Sequence, residues 1–261
     1  MTTTMEFALA LAFAASLLAA VEVGRVLAAR HLAHGPDRAI DAGAIQGAML
    51  GLLALLLGFS FGGAAGRYLE RQDLVVDEAS AIHSVALQAD LLPPANATQV
   101  RAALAGFLAD RSEHGVEREA LSPDDRRRGE ALLAEVWQRA LAADAPTPEY
   151  RIAVLAAIDD LIGVAEARVA ATERHLPAAI LVLLVVCSLL TLLVIGYAGR
   201  LEGRRRNLLT RALAVLIALA LMAIVDMDHG RIGLIRVSET PLERLAEERA
   251  AGWVDASGAG R

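Results

Sequence analysis

Residues 43–66 read GAIQGAMLGLLALLLGFSFGGAAG and run without a break into residues 67–92, RYLERQDLVVDEASAIHSVALQADLL. The first piece carries no charge, and its stretch Ile45–Ala65 has the length that crosses a bilayer, about 20 mostly apolar residues. Gly43, Gly47, Gly51, Gly58, Gly62 and Gly66 recur in steps of three and four, with Ala54 filling the one gap. That spacing places all seven on one face of a helix, with Phe59 beside them. Small residues let two backbones approach closely in lipid, so the face reads first as a contact against another span. A smooth face with exposed backbone also suits the wall of a narrow pore. It suits no enzyme site, because each glycine lowers helix propensity by roughly 1 kcal/mol.

The second piece continues the helix into water. Arg67, Glu70, Asp73, Asp77, Ser80, Ser84 and Gln88 follow one another at three or four residues and share a face. This is either the solvated side of an amphipathic helix or the lining of a hydrophilic vestibule. Arg71 and Glu78 differ, because by helical angle they fall among Leu74, Val75, Ile82 and Val85, inside the apolar arc. A charge there needs a partner, since burial alone is costly. The two lie about 10.5 Å apart along the axis, so each looks to another helix or subunit. For Glu78 the candidates are Arg168, Arg174 and Arg71 of a neighbouring copy.

Composition agrees with a divided chain. Of 261 residues 56% are hydrophobic, the mean hydropathy is +0.46, and 21% are nonetheless charged. Soluble domains run at about 45–50% apolar. The lone Cys187 excludes an internal disulfide and any multi-cysteine metal site. A net charge of −6 argues against nucleic acid. Every strongly basic residue is arginine, so no Schiff-base or phosphate-loop lysine exists. No serine elbow or HExxH is present, and the expectation is a protein that is not an enzyme and has no cofactor.

Three more stretches meet the span test: Phe7–Val21, extendable to Ala29; Leu176–Ala198; and Leu208–Val225. No run between residues 67 and 175 alternates like a strand. Helices are expected over residues 67–92, from about 97 to 114 with Asn96 as N-cap, from Ser122 to about Ala143, and from Thr147 to His175, where Pro177 should kink the chain into the third span. The fold is therefore read as all-α: a four-span membrane protein whose helical bundle between spans two and three grows out of the membrane helices. The parts are 1–66, spans one and two; 67–175, the water-facing bundle; 176–225, spans three and four; and 226–261, a C-terminal tail. Arg25, Arg30 and Arg38 in the first loop, and Arg200 and Arg204–Arg206 in the third, favour those loops inside and residues 67–175 outside.

The stretch from Gly51 to Pro93 resembles the bacterial bestrophin-like membrane proteins, in which a glycine- and leucine-rich span runs into Arg-x-x-Arg, then Val-Asp-Glu-Ala, then Leu-Leu-Pro. HLPAAILVLLVVCSLLTLLVIGY around span three and VDMDHGRIGLIRVSETPLERL after span four also match. The likeness reaches more thinly to bestrophins proper, ring-shaped anion channels. Phe59, Arg67, Tyr68 and Glu70 fit their offsets, but Ser60-Phe61-Gly62 stands where they carry Arg-Thr-Asn, and no acidic calcium clasp follows. Anion selectivity and calcium gating therefore do not carry over. Bestrophins keep the segment between spans two and three in the cytosol, opposite to the arginine count.

The function so implied is a multi-pass protein of the bacterial inner (cell) membrane, an oligomeric ion channel or pore with span two near the axis. Its expected partners are the lipid bilayer, inorganic ions and further copies of itself. The alternative is a non-conducting scaffold or sensor that uses the helical bundle. Asp226, Asp228 and His229 form a weak metal candidate, two carboxylates and an imidazole within four residues. Their plainer reading is a membrane-exit cluster paired with Arg231.

Overall fold

The computed structural model describes residues 3–33, 42–114, 123–201, 207–229, 235 and 237–252, and no strand occurs among them. The helices are α1 (Thr3–Ala33), α2 (Ala42–Gln88), α3 (Pro94–His114), α4 (Pro123–Leu141), α5 (Pro148–Glu173), α6 (Ala178–Leu201), α7 (Asn207–His229) and α8 (Thr240–Gly252), with one 3-10 turn at Ala89–Leu91 after α2. The all-α reading holds, and α8 is an addition to it, lying where the sequence suggests only a tail. Among the described residues, four stretches are long and apolar enough to cross a membrane: Leu11–His31, Gly43–Leu91, Pro148–Gly199 and Leu208–Asp228. Their apolar parts lie in α1, α2, α6 and α7.

The chain forms two compact units, one from residues 1–66 and 175–235, the other from 67–174 and 236–261. In the first, α1 packs on α6 and α7. Leu17, Val21 and Ala28 of α1 are buried, as are Leu184, Leu192 and Ala198 of α6 and Ala214, Leu221 and Ile224 of α7. Most of these repeat at three, four or seven, the mark of one inward helix face. Buried Ser188 donates its hydroxyl to the Leu184 carbonyl at 2.7 Å, so its burial leaves no unmet donor. The tight crossing rests on two glycines. A Cβ on Gly24 would fall 2.0 Å from the Leu193 carbonyl oxygen, and one on Gly196 would fall 2.1 Å from that of Val21. Only glycine lets these backbones touch.

The second unit is a bundle around one core. Val75, Ile82 and Val85 of α2 meet Val100, Leu104, Phe107 and Leu108 of α3, Leu133 and Val136 of α4, Val154, Ile158 and Leu161 of α5, and Leu242 and Leu245 of α8. The start of α3 lies earlier than expected: the helix begins at Pro94, and Asn96 sits inside its first turn. Proline fits the first helical positions, where its missing N–H has no partner to lose. Arg101 of α3 donates to the Ala86 carbonyl at 3.2–3.3 Å and pairs with Asp90, closing the C-terminal end of α2. At its far end α5 stops at Glu173, and residues 174–177 are not helical. Instead of a kink there is a break, because Pro177 lacks an N–H and disfavours the helical region for the residue before it.

Candidate functional site

The membrane half of α2 turns Leu53, Ser60 and Ala64 inward and leaves its glycine face open. Nothing among the described residues comes within 4 Å of a Cβ built on Gly47, Gly51, Gly58, Gly62 or Gly66. Gly43 is exposed too, and Phe59 is 73% exposed on the flank of the same face. The expected contact with another span therefore finds no partner among the described residues of one copy. The close glycine contact belongs to Gly24, a single glycine in α1, and to Gly196 of α6, which Gly199 follows three residues on. One glycine on each helix suffices because a crossing needs a small residue only where two backbones meet.

In the charged half of α2, from residue 67 on, exposed and buried charges separate. Asp73 and Asp77 are exposed, and among the described residues neither has an ion-pair or hydrogen-bond partner. Glu70 is exposed and accepts a bond from Arg174 at 2.9 Å. Arg67 is half-buried. Arg71 is buried and donates Nε to the Ala171 carbonyl at 3.1 Å and Nη2 to that of Arg174 at 2.8 Å. It therefore satisfies the carbonyls left over at the C-terminal end of α5, where a cation also suits the helix dipole.

Glu78 has no exposed surface. It meets Arg111 of α3 at 3.1 Å and pairs directly with Arg168 of α5. Arg168 in turn donates Nη2 to both oxygens of Glu239, just before α8, at 2.5 and 2.6 Å. Two acids and two arginines thus neutralise one another inside the bundle, and Arg111 also lies 4.9 Å above the Phe107 ring. Burial works to lower the proton affinity of Arg168; the carboxylates of Glu78 and Glu239 outweigh it, so its pKa is raised and the guanidinium stays charged. Arg168 is among the partners expected for Glu78; Arg111 and Glu239 are not. For Arg111 the signal is present: it lies four residues after Phe107 and seven after Leu104, in the apolar arc of α3.

Of the metal candidate, the described side chains are the two carboxylates. Both oxygens of Asp228 accept the Leu176 amide, at 3.0 and 2.9 Å, and Asp226 accepts that of Ile235 at 2.9 Å. The carboxylates tie the chain ends that flank α6 and follow α7. The His229 side chain lies outside the described residues. Among those described, no three acidic, histidine or cysteine side chains gather as a metal site would require.

Among solved structures, a bacterial bestrophin homologue from Klebsiella pneumoniae with a tryptophan-to-alanine mutation aligns with a TM-score of 0.73 at 13% identity, covering 97% of this chain and 98% of that one. The same homologue phased on zinc aligns with a TM-score of 0.69 at 15% identity, covering 96% and 99%. A further solved membrane protein gives 0.68 at 15% identity, covering 95% and 99%. No protein of curated function matches the chain. At these identities the likeness speaks for the fold. The sequence speaks for the family, since the model of the bestrophin-like domain matches residues 10–242, most of the chain. A four-span all-helical membrane protein with this fold and this match belongs to the bestrophin-like family.

Proposed function

We propose that the protein is an oligomeric ion channel of the bacterial inner membrane in which α2 of each copy stands nearest the axis. The observation that carries this reading is the open glycine face of α2. A helix face without side chains gains little from lipid tails, and small residues in membranes serve close approach to other helices or to a pore. Among the described residues of one copy nothing covers this face, so other copies or the water between them are its natural neighbours. At 100° per residue, Gly58, Gly62, Asp73 and Asp77 fall within roughly one third of the α2 helical wheel. Like charges would repel across a dry contact between symmetry-related copies of α2, whereas a wet axis accommodates them. Acidic rings favour cations, so the expected selectivity is for cations, unlike that of the anion channels to which the sequence is distantly similar.

The alternative, a non-conducting scaffold or sensor, draws on Leu141, Tyr150 and Ile152, large apolar side chains exposed around the α4–α5 turn. Recordings from purified protein in planar bilayers separate the two readings. The channel reading predicts unitary currents that favour cations, with the reversal potential moving toward the anion value in the double variant Asp73→Asn, Asp77→Asn. Silent bilayers from protein shown to be inserted would favour the scaffold.

A further inference from the structure

Arg168 joins α2 to the tail. Its Nη1 bonds Glu78 of α2, while its Nη2 holds Glu239 in the segment that leads into α8. The same segment is held on α2 a second time. Gln72 accepts the Ser238 amide on its Oε1 at 3.0 Å and donates its Nε2 to the Ser238 carbonyl at 3.4 Å. Beyond these polar ties, Leu242 and Leu245 enter the core, with Val237 and Ala246 packed at its margin. The Glu239 carbonyl accepts the amides of Leu242 and Glu243, which starts α8 at this same point.

α8 has 13 residues. Isolated helices shorter than about 12–15 residues are marginal in water, so α8 keeps its helix through docking. Docked and released states therefore differ by the folding of one short segment. Release also changes a charge balance: with Glu239 gone, Glu78 alone faces Arg111 and Arg168. A buried cluster left with an uncompensated charge must admit water or rearrange, and Glu78 sits on α2.

We infer that the segment 237–248 is a releasable strap whose docking is transmitted to α2 through Arg168, a conformational switch in which the state of the tail sets how α2 is seated around Glu78. This holds whether or not α2 lines a pore. Hydrogen exchange read by mass spectrometry on the full chain in detergent tests it with two variants. Glu239→Gln removes the ionic tie. Leu242→Ser removes an apolar anchor and leaves all four charged residues in place. In both, amides of residues 240–248 should exchange about tenfold or more faster than in the parent chain. Those of residues 75–82 should follow, while residues 130–140 of α4 keep their protection. The Leu242→Ser chain decides the matter even if Glu239→Gln fails to fold. Faster exchange in the tail with residues 75–82 unchanged would overturn the transmission. A tail that stays protected in both variants would overturn the strap.

Discussion

Glu78 shows how much one position can disclose. It breaks an apolar arc, and a charge inside such an arc needs a partner on another helix. Arg111 and Arg168 occupy the apolar arcs of α3 and α5 in the same way, so three misplaced charges found one another. Glu239 had no comparable signal, because its burial comes from α8 docking and not from its place on a helix. Removing one member of a buried pair costs about 3–5 kcal/mol, whereas an exposed pair such as Glu70–Arg174 is worth up to about 1 kcal/mol. Glu78→Ala should therefore lower the melting temperature in detergent far more than Glu70→Ala, although both positions lie on α2. Equal, small shifts would show that the four-charge cluster does not hold the bundle. Asp228 teaches the opposite lesson. Its spacing offers Asp226 and His229 as local neighbours, while both its oxygens accept the Leu176 amide, a partner 52 residues away that no local pattern announces.

Helix positions other than that of α8 were largely legible because they rest on local rules. Apolar runs marked the spans, Pro123 and Pro148 marked the starts of α4 and α5, and Pro177 marked a kink where the chain in fact breaks before α6. What each helix touches was less legible. The glycine periodicity of α2 points to a contact, yet the glycines in close contact among the described residues are Gly24, isolated in α1, and Gly196, with Gly199 three residues on. Periodicity reports a face, and only the fold reports what lies opposite. Gly196→Ala should place a methyl carbon against the Val21 carbonyl, where neither backbone can yield cheaply. Its melting temperature should fall well below that of the parent protein. Gly58→Ala meets open space within the copy and gains helix propensity of roughly 1 kcal/mol, so it should melt at or above the parent temperature. A destabilised Gly58→Ala beside an unaffected Gly196→Ala would reverse the assignment of the two faces.

For the molecule as a whole, the family follows from the sequence, and the membrane-spanning character from the four long apolar helices. The role of α2 is the central claim, and it concerns what several copies do together. One chain's sequence could suggest that role but could not choose between contact and pore, because both use the same small residues. The proposal of an axis shared among copies rests on the glycine face that stands open in one copy. The substitution Gly58→Cys, in a Cys187→Ser background, reports on that axis directly. In planar-bilayer recordings of this variant, a charged methanethiosulfonate reagent added to the bath should reduce the unitary current irreversibly, and the Cys187→Ser parent should be unaffected. Unitary currents that persist at full size after mass spectrometry has shown the introduced thiol modified would contradict a pore lined by α2.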